Sequence, residues 1–281
     1  MKLPLSVIVL TMNEALHLER CLKSVADIAS ELVVIDSGST DGTADIAVRC
    51  GATVHVHTFV NQADQMNWAL ANVPMKGTWV LRLDADEYLL PELRAEMEAT
   101  LGVVPASVGG FLMKRRVYFM GRWMRHGGYY PMWILRLWRN GAATCEAREM
   151  DEHMVVTAGE IQRLSNDFVD ENLNDLSWWT EKHNKFSSRE VRVALAEDRA
   201  ATDARLGSEV EKRRRAKHAY AGLPLFFRVI WYFTYRFVVR LGFLDGKEGL
   251  IFHTLQGFWY RFLVDAKIYE VLRKERMAKS K

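Results

Sequence analysis

The chain has 281 residues, room for one large domain or one domain with a substantial appendage, and its 49% apolar and 26% charged content is that of an ordinary globular protein. Cys21, Cys50 and Cys145 are odd in number and lack metal-ligand spacing, which argues against a cysteine metal site and fits a reduced, cytoplasmic compartment, and no signal peptide precedes the first strand-like segment. The net charge of +3 conceals an asymmetry: from Arg205 onward 17 lysines and arginines face 7 acids, a balance of +10, against −7 for the residues before it. A basic tail on an acidic body points to an anionic partner, either a membrane surface or a nucleic acid.

Residues 5–10 are an apolar run suited to a buried strand, followed by Thr11-Met12-Asn13-Glu14 with the Thr-x-x-Glu spacing of a capping box. Leu18, Leu22, Val25 and Ala26 then share one helix face. Residues 32–35 read as a second strand ending at Asp36. Ser37-Gly38-Ser39-Thr40-Asp41-Gly42 is a tight polar loop into a short helix through Ala47, with Gly51 as its C-terminal cap. Residues 53–57, 61–71 and 79–83 follow as strand, helix and strand. This alternation predicts an α/β fold whose parallel strands are joined by right-handed crossovers.

The fourth strand, Trp79-Val80-Leu81-Arg82-Leu83, ends abruptly in Asp84-Ala85-Asp86-Glu87. Two residues apart on an extended backbone, Asp84 and Asp86 point the same way and suit a shared hard cation, Mg²⁺ or Mn²⁺. An acidic turn capping the helix from Pro91 is the alternative. Three strand ends are polar: Thr11, Asn13 and Glu14; Asp36 with its loop; Asp84 and Asp86. A parallel sheet gathers them on the edge where ligands bind, and carboxylates there repel one another unless a cation or a hydroxyl-rich ligand is present. No glycine-rich phosphate loop follows the first strand, so a cation held by aspartates would have to neutralise a diphosphate.

Ser6-Val7-Ile8-Val9-Leu10-Thr11-Met12-Asn13-Glu14, Val34-Ile35-Asp36-Ser37-Gly38-Ser39-Thr40-Asp41-Gly42-Thr43 and Leu83-Asp84-Ala85-Asp86-Glu87 resemble, in this order, the motifs of family 2 glycosyltransferases of the GT-A fold. Within that family the chain is similar to bacterial enzymes of lipopolysaccharide-core and exopolysaccharide synthesis. The resemblance implies a GT-A, Rossmann-like, mostly parallel sheet flanked by helices, a nucleotide-sugar donor (a UDP-sugar first) and a divalent metal. Carried over by position, Thr11, Asn13, Glu14, Asp36 and Ser39 would hold the nucleoside, Asp84 its ribose or the metal, and Asp86 the metal bridging the diphosphate. Arg136, in the run Arg136-Leu137-Trp138-Arg139, would offset diphosphate charge.

Beyond these motifs, residues 91–100 predict a helix, and residues 110–116 and 134–138 predict strands. The aromatic, glycine and arginine segment between them, including His126-Gly127-Gly128-Tyr129-Tyr130-Pro131, suits either a sugar- or phosphate-facing surface or a turn over an aromatic mini-core. In Glu149-Met150-Asp151-Glu152-His153, inverting transfer would find the carboxylate that takes the acceptor hydroxyl proton, Glu152 ahead of Asp151. His153 is open between metal ligand, diphosphate donor and structural residue. The expected division is a catalytic domain over residues 1–160 and a helical, amphipathic region over 161–281, its first helix running from residue 173 to about 204.

In residues 223–241 one helix would place Arg228, Arg236 and Arg240 within about a 120° arc, opposite Phe226, Phe227, Ile230, Phe233, Phe237, Val238 and Leu241. The longest uncharged stretch inside it, 229–235, is far short of the roughly 20 residues of a membrane span. The expectation is therefore a peripheral helix on an anionic inner-membrane face, with Lys212-Arg213-Arg214-Arg215-Ala216-Lys217 assisting, and a lipid-linked or lipopolysaccharide glycan as acceptor. Packing on the catalytic domain or on a second subunit is the alternative. Two other functions stand beside this one: a sugar nucleotidyltransferase, which would need a glycine-rich loop where Thr11-Met12-Asn13-Glu14 stands, and a non-catalytic glycan- or membrane-binding subunit. Nucleic-acid binding would explain the tail but not the acidic sheet edge.

Overall fold

The computed structural model describes residues 2–148, 150, 152–196 and 208–280, the side chains of 208–210 and 213 excepted. In chain order the elements are β1 (Leu3–Thr11), α1 (Leu18–Lys23), β2 (Ala29–Asp36), α2 (Thr43–Arg49), β3 (Thr53–Val56), α3 (Gln62–Asn72), β4 (Trp79–Asp84), β5 (Glu87–Leu89), α4 (Pro91–Thr100) and β6 (Val108–Phe119). They continue as β7 (Arg122–Trp123), β8 (Met132–Arg139), β9 (Ala143–Cys145), β10 (Met154–Val156), β11 (Glu160–Glu171), α5 (Leu176–Ala196), α6 (Ser208–Ala221), α7 (Phe227–Thr234), α8 (Gly246–Phe252) and α9 (Tyr260–Lys279). The chain divides into two compact units: Met1–Tyr118 with Pro131–Leu173, and Phe119–Tyr130 with Asn174–Lys281.

The first unit is α/β. Its sheet runs β3-β2-β1-β4-β8-β6-β11-β5, with β1 parallel to β2 and β4, β2 parallel to β3, and β6 parallel to β11. β8 and β5 are antiparallel insertions, so the sheet is mostly parallel rather than wholly so. β1 is apolar from Val7 to Leu10, as suits a strand covered on both faces. Leu5, Val7 and Val9 pack with Leu18, Cys21 and Leu22 of α1 and Leu93 and Met97 of α4, while Ile8 packs with Ala63, Met66 and Ala69 of α3 on the other face.

Pro91 starts α4 at its first position, where the missing N–H costs nothing. Asn61 caps α3 by accepting the N–H of Asp64 at 2.8 Å. The capping box expected at Thr11 does not form. Thr11 is the last residue of β1, in register with Asp36 of β2, and its hydroxyl donates to that carboxylate rather than to a helix N–H. α1 begins only at Leu18, with no side-chain cap.

The second unit is helical. Val191 of α5 packs on Tyr260, Val264 and Ile268 of α9, and Glu190 accepts from the Tyr260 hydroxyl (2.5 Å) and Arg261 Nη1 (2.8 Å). Asp175, ahead of α5, caps it by accepting the Trp178 N–H at 2.8 Å, and the part of the expected helix after residue 196 lies outside the described residues. The single helix expected over 223–241 is interrupted. Phe226 stands at φ +66, α7 starts after it, and a π turn occupies Tyr235–Val239. A second π turn, His253–Trp259, joins α8 to α9.

Arg228 does not share an exposed face with Arg236 and Arg240. It is 7% exposed, and its Nε and Nη2 donate to Asp265 Oδ1 at 2.9 and 2.6 Å. Asp265 also accepts the Phe226 N–H at 2.7 Å, so one buried carboxylate of α9 fixes the start of α7. The helical wheel put Arg228 with the other two arginines because it counts angle along one axis and cannot see a partner from another helix. Asp265→Ala strands the Arg228 charge and is expected to cost about 3–5 kcal/mol. Denaturant unfolding followed by tryptophan fluorescence measures this, and an unchanged midpoint would refute the pair's structural role.

Candidate active site

Parallel register brings the strand ends together: Thr11 lies opposite Asp36, and Leu10 opposite Asp84. Asp36 organises the loop after β2. Its Oδ1 accepts from Thr11 Oγ1 (2.8 Å) and Ser39 Oγ (2.6 Å), and its Oδ2 from the N–H groups of Gly38 (2.9 Å) and Ser39 (2.8 Å). Burial works against its charge, but the Ser39, Thr11 and Gly38 donors outweigh it and hold the carboxyl below its usual range.

The loop after β1 is tied to this one. Ser39 Oγ accepts the Asn13 N–H (2.8 Å), Asn13 Oδ1 accepts the Thr40 N–H (2.9 Å), and Thr43 Oγ1 accepts the Glu14 N–H (2.8 Å). Asn13 sits at φ +57, a left-handed conformation that asparagine tolerates. Thr11, Asn13, Glu14, Asp36 and Ser39 are therefore brought together, and Asp36 is engaged wholly within the protein. His17, to which the sequence assigned nothing, closes the group. It is buried, its Nδ1 lies 2.7 Å from Glu14 Oε2, and its Nε2 accepts the Leu173 N–H at 2.9 Å.

At the end of β4 the acids differ in their partners. Asp84 Oδ2 accepts from Arg136 Nη2 (2.7 Å) and Oδ1 from Arg82 Nη2 (3.3 Å). Burial raises its pKa, but Arg136 and then Arg82 overcome this and hold it well below the carboxylate range. Arg136 also donates to Glu87. At 5% exposure, this arginine faces the two carboxylates beneath the edge, whereas the resemblance had it offsetting diphosphate charge. Glu87 is pushed above its usual range by burial, Arg136 opposing and Asp84 adding to the rise.

Asp86 has a different setting: its side chain accepts one hydrogen bond, from Asn172 Nδ2 at 3.1 Å, and it pairs with no cation among the described residues. Asp170 of β11, in register with Glu87, pairs with Arg115 at 3.0 Å, and its pKa is raised by burial, with Asp86 and Asp84 contributing and Arg115 opposing. Asp84, Glu87 and Asp170 thus meet three guanidiniums, those of Arg82, Arg115 and Arg136, while Asp86 has no cationic partner among the described residues. A strand-end carboxylate so placed suits a hard divalent cation completed by ligand oxygens. No group of three or more His, Cys, Asp or Glu residues stands at metal-holding geometry among the described residues, so such a cation would take its remaining ligands from substrate and water.

The candidate proton acceptor is joined to this edge. The Arg82 nitrogen that touches Asp84, Nη2, also lies 3.9 Å from Glu152 Oε1. Arg82 is 4% exposed, so two carboxylates on separate segments share one buried cation. His153 is turned to Glu146, with Nδ1 3.5 Å from Oε2. Asp151 lies outside the described residues. Sequence reasoning missed Arg82, Asp170, Asn172 and His17. The period of two between Arg82 and Asp84 could have revealed the first. Asp170 and Asn172 carry no local signal, because sheet pairing across some 85 positions brings them in.

Residues 6–143 match the family described as Glycosyl transferase family 2. An uncharacterised glycosyltransferase of Rickettsia bellii is 42% identical over 94 residues, but that alignment spans only 34% of this chain and 31% of the relative. Longer alignments are weaker. The lipopolysaccharide core biosynthesis glycosyltransferase LpsC of Rhizobium meliloti is 27% identical over 96% of this chain and 93% of its own. An uncharacterised glycosyltransferase of Rickettsia felis is 25% identical over 97% and 92%. Among solved structures, the mannosyltransferase PcManGT of Pyrobaculum calidifontis, in complex with GDP-Man and Mn²⁺, superposes with a TM-score of 0.50 at 15% identity, covering 96% of this chain and 88% of that one, a likeness of fold. The sheet order, the three strand-end motifs and the family match together identify residues 6–143 as a glycosyl transferase family 2 domain of the GT-A fold.

Proposed function

We propose that the protein is an inverting glycosyltransferase that moves a sugar from a nucleoside-diphosphate donor, a UDP-sugar first, to a lipid-linked or lipopolysaccharide-type glycan. The observation that carries this reading is the shared Arg82 nitrogen, which joins the donor-side acid Asp84 to Glu152. Inversion requires a base on the face of the sugar opposite the departing diphosphate, and a carboxylate held beside the donor-side acid through one arginine supports that reading. The full-length similarity to a lipopolysaccharide-core enzyme supports the acceptor class.

In this reading the loops after β1 and β2 receive the nucleoside, through Asn13, Glu14 and the backbone that Asp36 shapes. Arg136 keeps Asp84 ionised, so it can accept ribose hydroxyls or help hold a cation. Glu152 takes the proton from the acceptor hydroxyl as the new C–O bond forms, and the bond to the diphosphate oxygen breaks on the opposite face. Arg82 orients Glu152 and tempers its charge. Asp86 would hold Mg²⁺ or Mn²⁺, which when bound offsets the charge of the departing diphosphate.

The helical unit adds a site of attachment. Phe227, Ile230, Trp231, Val238, Phe243 and Leu244 are each 46–59% exposed, a concentration of apolar surface uncommon on a solvated helix pair. α6 brings Arg214, Arg215 and Lys217, and no helix among the described residues is long and apolar enough to cross a membrane. We infer that this unit lies on the anionic cytoplasmic face of a bacterial inner membrane, with its aromatics in the interface and basic residues among the headgroups.

Three results are expected. Asp86→Ala should abolish transfer while leaving thermal unfolding unchanged, and excess chelator should do the same to the wild type; full turnover under either condition refutes the cation role. Glu152→Gln should lower kcat by about 10²–10⁴ with little change in donor affinity, the usual contribution of a positioned base. Wild-type kcat in this variant would move the base elsewhere. Anionic vesicles should sediment the full chain at low salt, less so at high salt, and less still with Arg214, Arg215 and Lys217 changed to Glu; sedimentation indifferent to lipid charge argues against the attachment.

A further inference from the structure

The helical unit holds two cations that its own acids leave unbalanced. Arg236 lies in the π turn Tyr235–Val239 and Arg240 follows it directly. Both guanidiniums converge on Gly128: a methyl group built there would lie 3.7 Å from Arg240 Nε and 3.8 Å from Arg236 Nη2 and Arg240 Nη2. Neither forms an ion pair among the described residues, and the acids Asp245 and Glu248 of the same unit are engaged elsewhere. Asp245 is engaged by the His126 N–H (3.0 Å) and its Nδ1 (2.6 Å), and Glu248 by Arg122 (3.5 Å). Arg236 donates Nη1 to the Tyr232 hydroxyl at 2.7 Å and lies 3.9 Å from the centre of the Tyr129 ring, while its Nε and Nη2 are shielded and have no hydrogen-bond partner among the described residues.

The backbone beside them is shaped to match. Gly127 and Gly128 are consecutive left-handed residues, at φ +66 and +76, and the Gly127 N–H donates to the Arg240 carbonyl at 2.8 Å, which ties the loop to the helix end. Any side chain at Gly127 would meet the His253 ring at 2.0 Å. His253 is fully buried, and neither of its ring nitrogens has a hydrogen-bond partner among the described residues. Burial and then Arg236 lower its pKa to about 4, so it adds no third charge near neutrality.

Two like charges side by side, unpaired, next to a turn of successive left-handed glycines and on a π turn, make an arrangement that a multiply charged tetrahedral anion relieves. We propose that Gly127-Gly128, Arg236 and Arg240 form a binding site for a phosphate ester. The source is either a phosphorylated position on the glycan acceptor or a lipid headgroup phosphate. This deepens the glycosyltransferase reading and rests on it for the identity of the ligand, but the binding itself does not require transfer.

The test is calorimetric titration of the metal-free full chain with inorganic phosphate, beside flotation on phosphatidylcholine vesicles with and without phosphatidic acid. Arg240→Gln, at an exposed position, should weaken binding roughly tenfold, the loss of one charge-assisted contact. Arg236→Gln should do at least as much, with Arg240→Gln remaining decisive if the packing on Tyr129 suffers. Loss in the solution arm assigns the site to free or glycan-borne phosphate, and loss confined to phosphatidic acid vesicles assigns it to lipid. The proposal is overturned if the wild type binds in neither arm, or if Arg240→Gln matches the wild type in both. A failure of glycosyl transfer in any assay leaves these readouts intact, so the two readings fail separately.

Discussion

Three guanidiniums around the end of β4 make the sheet edge possible. Two like charges 4 Å apart repel by about 4 kcal/mol at an effective dielectric near 20, and Asp84, Asp86, Glu87 and Asp170 are drawn to one place by strand pairing. Arg136 takes Asp84 and Glu87, Arg115 takes Asp170, and Arg82 takes what remains of Asp84. Without them the acids would have to be protonated or pushed apart. With them, Asp86 alone of the four has no cationic partner among the described residues.

The same accounting explains why Arg82 matters more than its position suggests. It lies inside an apolar strand, where an arginine is costly unless its charge is met. Asp84 and Glu152 meet it from two sides, so strand, loop and candidate base become one unit. Below them, Asp36 performs the neutral counterpart: its four hydrogen bonds hold the loops after β1 and β2 in register without any cation.

The helical unit applies the rule twice with opposite outcomes. Arg228 is buried and meets Asp265 through several hydrogen bonds, which fixes where α7 begins. Arg236 and Arg240, two and three helical turns on, meet no carboxylate among the described residues and lie against a glycine turn instead. A helical wheel treats the three arginines alike. Packing separates one structural cation from two that remain available.

Local chemistry alone made much of the first unit legible. The β1, β2 and β4 runs are apolar on both faces because both faces are covered, and Pro91 and Asn61 mark helix starts through their own backbone requirements. The strand-end acids were readable because a parallel sheet delivers its strand termini to one edge. Thr11 misled because its spacing to Glu14 satisfies a helix cap equally well, and only the register with Asp36 decides where its hydroxyl goes. β11 was not legible: its run Glu-Ile-Gln-Arg-Leu-Ser-Asn-Asp-Phe-Val-Asp-Glu keeps no clear alternation, and pairing with β6 and β5 makes it a strand. The sequence by itself thus determined the α/β alternation, the acids at the strand ends and the basic, aromatic tail, since each depends on neighbours within a few residues. Tertiary structure decided which side chain answers which, because pairing depends on distance in space: Arg136 lies 52 positions from Asp84, Asn172 86 from Asp86, and Asp265 37 from Arg228.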